Sequence, residues 1–140
     1  MSNFLQVAKI TGNDSAASDN FGWAVSLNSA GDVALVGAYG EDPNGVTNAG
    51  SAYIFTGSGN NWIQTAKITG SDSAAGDFFG VSVAINSGGN IVLIGAQSDD
   101  MGAQVDVGSA YIFTGSGNNW VQVAKITGSD SAANDAFGFM

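Results

Sequence analysis

Three pairs of aspartates, five residues apart, are the residues best suited to chemistry in this sequence. They are Asp14 with Asp19, Asp72 with Asp77 and Asp130 with Asp135, each in a loop of the form DSAAxD. Two carboxylates at this spacing can bind a calcium ion together with backbone carbonyls, because Ca²⁺ takes oxygen ligands. Asx-type turns, in which a carboxylate accepts backbone N–H groups, explain the same residues equally well. Both interpretations stay open at this level, and we expect no other cofactor.

The composition excludes several classes of function. The chain has no Cys, no His and no Arg, and its three cations, Lys9, Lys67 and Lys125, stand against twelve carboxylates for a net charge of −9. Thiolate and imidazole metal sites and most nucleophilic triads therefore cannot form. The negative charge repels phosphate backbones and anionic lipids, so we expect neither nucleic acid binding nor membrane insertion. No segment has the pattern of a signal peptide.

An enzymatic site is also not expected. Glu41 and Asp42 are the carboxylates that could form a glycosidase pair. Neighbours on a loop seldom face each other across a substrate, and Asp99 replaces Glu41 in the other copy. We therefore predict that the chain is not an enzyme.

The sequence is an internal repeat with a period of 58 residues. The motif beginning at Ile10 recurs at Ile68 and again at Ile126, without insertions. Only four positions differ between residues 50–80 and 108–138. Recent duplication and deliberate construction both explain this similarity. Each period is one structural unit.

Within a unit, the spacing predicts four short strands, A to D. Strand A (79–86) alternates with a period of two, strand B (90–96) is apolar on both faces, and strands C (108–115) and D (119–128) follow. Regular alternation in strand D would place Trp120, Gln122, Ala124 and Ile126 on one face, opposite Val121, Val123 and Lys125. The lysines would then protect the sheet edge against stray pairing.

Four antiparallel strands at a fixed period are typical of a β-propeller blade, so we predict an all-β fold. We expect one repeat domain over 1–140. It would comprise an outer strand D and loop at 1–18, blade 1 at 19–76, blade 2 at 77–134 and the start of a third repeat at 135–140.

The sequence resembles the FG-GAP repeat of integrin-α-like propellers and bacterial surface proteins. Residues Phe21, Gly22, Phe79, Gly80, Phe137 and Gly138 match the first half of its signature, and Gly37, Ala38, Gly95 and Ala96 match the second. The resemblance implies a propeller and an extracellular or cell-surface location. The family's calcium loop between strands A and B does not carry over, because those segments read NSAGD and NSGGN.

The loop between strands B and C is the least repeated part of the unit, and variable loops on a regular scaffold often contact partners. Its carboxylates are candidate ligand contacts, with Trp62 and Trp120 as either a glycan platform or wedges between blades. The loop carboxylates are Glu41, Asp42, Asp99, Asp100 and Asp106.

Two blades cannot close a ring, since propellers have about four to eight. We therefore expect several chains to associate head to tail, three being favoured, with strand D at residues 4–11 competing with 120–127 for one outer position. The predicted function is a self-assembling scaffold module. An adhesive or lectin-like module that binds glycan or protein is the alternative.

Overall fold

The protein is all-β, with two antiparallel four-stranded sheets of the same topology. The structure is a computed structural model that describes residues 4–139. Sheet 1 consists of β1 (Ala24–Leu27), β2 (Val33–Ala38), β3 (Ser51–Ser58) and β4 (Asn61–Ile68). Sheet 2 consists of β5 (Phe79–Ile85), β6 (Ile91–Ala96), β7 (Ser109–Ser116) and β8 (Asn119–Ile126). Each sheet is a meander in which sequence neighbours pair, as the four-strand unit predicts.

Helix is almost absent from the described residues. A short 3-10 helix, Pro43–Gly45, lies in the loop between β2 and β3. No helix in residues 4–139 is long and apolar enough to cross a membrane.

The two sheets pack face to face around one apolar core. Sheet 1 contributes the face that carries Leu35 and Ile54, and sheet 2 contributes the face that carries Phe79, Ile94 and Phe113. These two faces are not equivalent in the repeat. The alternation of β3 and β7 explains this arrangement, because successive side chains of a strand point to opposite faces. A second, smaller cluster with Tyr53 and Phe55 lies on the far face of sheet 1.

Strand D differs from the prediction because it contains a β-bulge. Ile112 pairs with Ala124, but Phe113 pairs with Gln122, so Val123 is the extra residue. The same irregularity in sheet 1 leaves out Thr65. A bulge reverses the alternation that follows it. Trp120, Gln122 and Lys125 therefore share the face of Tyr111, while Ala124 and Ile126 lie on the other face.

The first predicted strands are also shorter or absent. Residues 4–11 form no ladder, because within residues 4–139 no strand C precedes them as β3 precedes β4. Strand β1 begins only at Ala24, whereas its equivalent β5 begins at Phe79. Phe79 donates its N–H to Ala49 O in the loop between β2 and β3 (2.9 Å). In residues 4–139 no preceding sheet offers β1 a similar partner.

Candidate functional site

The most extensive polar cluster of sheet 1 is formed by a lysine that lies between two carboxylates. Lys67 Nζ lies 2.5 Å from Asp14 Oδ2 and 2.8 Å from Glu41 Oε1. Tyr53 OH donates to Asp14 Oδ1 (2.7 Å), and Ser51 Oγ donates to Glu41 Oε2 (2.5 Å). The ammonium also lies over the Tyr53 ring, 5.5 Å from its centroid, a distance suited to a cation–π contact.

Sheet 2 repeats this cluster with one conservative change. Lys125 Nζ lies 2.5 Å from Asp72 Oδ2 and 2.7 Å from Asp99 Oδ2. Tyr111 OH donates to Asp72 Oδ1 (2.7 Å), and Ser109 Oγ donates to Asp99 Oδ2 (2.5 Å). Asp99 replaces the longer Glu41 of the first cluster, and the lysine still reaches it. We call these two sets the lysine clusters.

The bulge in strand D explains why the lysines point toward these carboxylates. Lys67 pairs with Tyr53 in the register that follows the bulge, and Lys125 pairs with Tyr111. Bulges often re-aim side chains in this way. The prediction that Lys67 and Lys125 protect a sheet edge is therefore wrong, because both ammonium groups are engaged with carboxylates. Lys9, which has no ladder to orient it, is exposed.

Each cluster stabilises the charged forms of its lysine and of the aspartate from the DSAAxD loop. Burial opposes ionisation of Asp14, but hydrogen bonds from Lys67 and Tyr53 outweigh it and hold the pKa of Asp14 below its usual value. Asp72 behaves in the same way, with Lys125 and Tyr111 lowering its pKa against the effect of burial. The carboxylates likewise raise the pKa of Lys67 and Lys125 although burial opposes it. Each cluster is therefore an ion pair at neutral pH.

Each lysine cluster connects three separate segments of the chain. In sheet 1 these segments are the DSAAxD loop (Asp14), the loop between β2 and β3 (Glu41) and the strand pair β3–β4 (Tyr53 and Lys67). Every charged atom of the cluster faces an opposite charge or a hydroxyl group within the cluster. In the part of the chain that the structure describes, no group of three or more carboxylates could hold a metal ion.

The second aspartate of each DSAAxD loop has a different partner from the first. Asp19 Oδ2 accepts the N–H of Ala16 (2.7 Å), and Asp77 Oδ2 accepts that of Ala74 (2.7 Å). Asp135 accepts the N–H of Ala132 (2.8 Å). These bonds have the geometry of local side-chain turns. In the first two loops the aspartates predicted to share calcium thus have different partners: Asp14 and Asp72 bond to the lysine clusters, and the second aspartate bonds to the backbone of its own loop.

The third DSAAxD loop follows β8 and includes Asp130, which is exposed. Its equivalents Asp14 and Asp72 each bond to the tyrosine and lysine of the sheet that follows the loop. No such sheet follows Asp130 within residues 4–139.

The candidate ligand contacts divide into buried and exposed groups. Glu41 and Asp99 are 6% and 3% exposed and bond within the lysine clusters, and contact of these residues with a ligand stays a prediction. Asp42 and Asp100 are exposed and accept the N–H groups of Asn48 and Asp106 (2.7 and 2.8 Å). Asp106 itself is half-buried.

The two candidate tryptophans are half-buried against the apolar clusters. Trp62 packs on the Tyr53 cluster, and Trp120 packs on the core between the sheets. Each indole N–H donates to a turn carbonyl, Gly59 O or Gly117 O, at 3.0 Å. Their donors are thus used within the fold.

The two halves of the repeated signature meet between consecutive sheets. Phe79 is fully buried and packs edge-on against Tyr111 (5.3 Å between ring centroids). Gly80 has a positive φ of 95°, and a Cβ there would collide with Ser51 O of sheet 1. The carbonyl of Gly80 in turn lies against Gly37, so neither Gly80 nor Gly37 tolerates a side chain. Gly138 and Gly95 form the same pair at the other end of sheet 2.

The remaining signature residues occupy equivalent places. Ala38 and Ala96 are fully buried at the ends of β2 and β6. Phe21 packs edge-on against Tyr53 (5.3 Å), and Phe137 forms a parallel bridge with Gly108. Gly22 keeps the positive φ of 89°, but a Cβ there would meet nothing within 4 Å.

Sequence reasoning missed the tyrosines and serines of the lysine clusters. The sequence patterns do not single out Tyr53, Tyr111, Ser51 or Ser109. A signal was present, because Tyr, Lys and the first Asp of each loop recur together at the 58-residue period. Their partnership became visible only with the bulge.

The comparison with protein families agrees with this architecture. The model of the FG-GAP repeat matches residues 4–55 and 62–113. The two matches are offset by one period and include the signature residues that meet between the sheets. A search of curated proteins finds no similar sequence. Since the family model covers more than half of the chain, the protein belongs to the FG-GAP repeat family.

Proposed function

We propose that this chain is a non-enzymatic scaffold module that associates head to tail with copies of itself to close a β-propeller ring. The observation that carries the proposal is an equivalence. The chain buries one face of each sheet and leaves the other face open. Each open face consists of residues that lie one 58-residue period away from the residues of a buried face.

The open face of sheet 2 corresponds to the face of sheet 1 that is buried in the core. Leu35 is 0% exposed there, whereas its equivalent Leu93 is 40% exposed. Ile68 and Ile126 differ in the same direction. This face of sheet 2 therefore has the apolar character of an internal junction, but no sheet formed by residues 4–139 packs against it.

The open face of sheet 1 corresponds to the face of sheet 2 that is buried. Val81 is 3% exposed, whereas its equivalent Trp23 is 56% exposed. Val25 and Leu27 are exposed, while their equivalents Val83 and Ile85 pack on the core. Apolar surface of this kind favours association.

One position outside the junction provides a reference. Ile63 of sheet 1 and its equivalent Val121 of sheet 2 are 69% and 63% exposed. Ile63 lies on the face of sheet 1 that packs in the core, and Val121 lies on the open face of sheet 2. Their exposures are nearly equal, so packing of a neighbouring sheet does not cover this position. The differences at Leu93 and Trp23 therefore arise from the missing neighbour. A second copy supplies that neighbour, because its sheet 1 presents the face that sheet 2 lacks.

The association is heterologous, since the two surfaces differ, and heterologous contacts close into rings when the rotation permits. Each copy adds two sheets, so two, three or four copies give rings in the usual range of about four to eight blades. We favour three copies and six blades. The charged groups of the lysine clusters form ion pairs with one another. This pairing supports a structural rather than a catalytic role, and the clusters need no metal ion to balance their charge.

Charged substitutions on the two open faces test the proposal. Val25→Lys alters only the face of sheet 1, and Leu93→Lys alters only that of sheet 2. We expect each variant alone to be monomeric in sedimentation velocity, and their mixture to form a heterodimer that does not grow further. Val121→Lys is the matched control and should assemble like the parent.

Three results would contradict the proposal. They are a monomeric parent chain, variants that assemble normally, and self-association of Leu93→Lys through its intact sheet 1 face. The last result would indicate a head-to-head contact.

An adhesive role is the second candidate, and the loops between β2 and β3 and between β6 and β7 favour it. Both expose carboxylates, Asp42 and Asp100, and the second also exposes Met101 and Val105. Residues 47–49 bind the following segment at the internal junction, but Asp42 of the same loop stays exposed there, so this part of each loop stays accessible in a ring. Binding of the parent to a glycan array, lost when residues 100–106 are replaced by the equivalent 42–48, would favour this role. An array without signal would count against glycan adhesion.

A further inference from the structure

Two segments of the chain are copies of each other and have the same place in the repeat. Residues 4–22 and 120–138 are two periods apart and identical at 14 of 19 positions. Each copy contains a strand D, a DSAAxD loop and the Phe-Gly pair that begins strand A. They differ in what they contact.

The C-terminal copy is firmly docked on sheet 2. Its first part is β8, which pairs with β7 along its whole length. Its last part is held by backbone bonds from Asn134 N–H to Val105 O (3.0 Å) and from Phe137 N–H to Val107 O (3.0 Å). Residues 76 and 79 bind the loop of sheet 1 in the same way.

The N-terminal copy is only half docked. Asp14 bonds to Tyr53 and Lys67 of sheet 1, and Asn13 exchanges two hydrogen bonds with Gln64. Residues 4–11 form no ladder, and Phe4 is almost fully exposed.

Both copies cannot remain in place when two chains join as sheets 1 and 2 do. At the internal junction Phe79 N–H donates to Ala49 O. The equivalent bond between chains would run from Phe21 of the second chain to Val107 O of the first. Phe137 of the first chain already occupies that carbonyl. One of the two segments must leave.

We propose that the C-terminal segment stays and completes the lysine cluster of the next chain. This inference rests on the head-to-tail association proposed above. Asp130 of one chain then takes the place of Asp14 on Tyr53 and Lys67 of the second chain, and residues 4–22 of the second chain are displaced. The internal junction is the precedent, because the loop after β4 places Asp72 on Tyr111 and Lys125 of the following sheet.

The balance of contacts explains why this segment stays. Displacing the C-terminal copy would break the β7–β8 ladder and the bonds to residues 105 and 107. Displacing the N-terminal copy breaks no ladder, and Asp130 restores the hydrogen bonds that Asp14 loses. The exchange thus substitutes one carboxylate for another in the same cluster.

Cysteine cross-linking between two different variants tests the exchange, because the chain has no cysteine. Ser71 bonds to Gln122 at the internal junction (2.9 Å). The equivalent pair between chains is Ser129 with Gln64 of the next copy. We expect a mixture of Ser129→Cys and Gln64→Cys chains to form a covalent heterodimer under mild oxidation. The double variant Ser71→Cys/Gln122→Cys is the positive control and should cross-link within one chain.

The oligomer mass of the same samples separates the two proposals. Oligomers without the Ser129–Gln64 cross-link would overturn the exchange and leave head-to-tail association standing. Absence of oligomers would overturn the association itself. Asp130→Asn and Asp14→Asn supply an independent measurement. The exchange predicts association weakened about tenfold by Asp130→Asn and unchanged or strengthened by Asp14→Asn, and the reverse pattern would overturn it.

Discussion

The three equivalent lysines provide a controlled test of the lysine clusters. Lys9, Lys67 and Lys125 each precede the sequence ITG, but only Lys67 and Lys125 form ion pairs within residues 4–139. Lys125→Met would leave Asp99 charged, 3% exposed and without a cationic partner. Lys9→Met changes an exposed side chain.

The expected magnitude follows from the burial of Asp99. Removing one partner of a buried ion pair costs about 3 to 5 kcal/mol. Lys125 retains 26% side-chain exposure, and Ser109 still donates to Asp99, so we expect about 2 to 3 kcal/mol. Domains of this size have about 5 to 15 kcal/mol of total stability. Lys9→Met should be neutral within about 0.5 kcal/mol.

Urea unfolding followed by tryptophan fluorescence at pH 7 measures these differences. Two protein concentrations are needed, because association adds a concentration-dependent contribution to stability. Adding Asp99→Asn to Lys125→Met should recover part of the loss, since it removes the unpaired charge. If Lys125→Met and Lys9→Met had the same effect, the lysine clusters would not contribute to stability as argued.

Three further predictions concern the backbone, pH and calcium. Gly80→Ala should cost about 1 to 3 kcal/mol more than Gly22→Ala, because both have a positive φ but only Gly80 lies against the neighbouring sheet; equal melting temperatures would refute the close approach. Burial, followed by repulsion from Asp99 and other carboxylates, raises the pKa of Asp77 to about 6. The folded state therefore binds the proton more tightly than the unfolded chain, so stability from this group increases as pH falls from about 7 toward 4. Asp77→Asn should accordingly be most stabilising relative to the parent at pH 7, and a difference that does not change with pH would contradict the assignment. EDTA should leave the melting temperature unchanged, because Asp14 and Asp72 are bonded to lysines; a loss of many degrees would show that the DSAAxD loops bind calcium.

The sequence predicted the sheets well because burial on alternate faces leaves a direct pattern. In β7, Tyr111 and Phe113 lie on one face and Ala110 and Ile112 on the other, as a period of two requires. The fixed repeat then predicted that both units have the same topology. These features depend on neighbours a few residues apart, which a sequence displays openly.

The lysine clusters could not be predicted in the same way. The bulge at Val123 cannot be recognised from the sequence, because a β-branched residue is as suitable on one face of the strand as on the other. The partners are also distant in sequence, with Tyr111 and Asp72 separated by 39 positions. The short β1 has a similar cause, since its equivalent β5 is extended by bonds to another sheet. Local patterns do not include such contacts.

Native mass spectrometry of the intact chain over a range of concentrations tests the central claim most directly. Head-to-tail closure predicts a discrete species that stops growing, with three times the 14.0 kDa mass of one chain. A discrete species of two or four chains would correct only the ring size. A monomer at every concentration, or polymers that grow without limit, would contradict the closed ring.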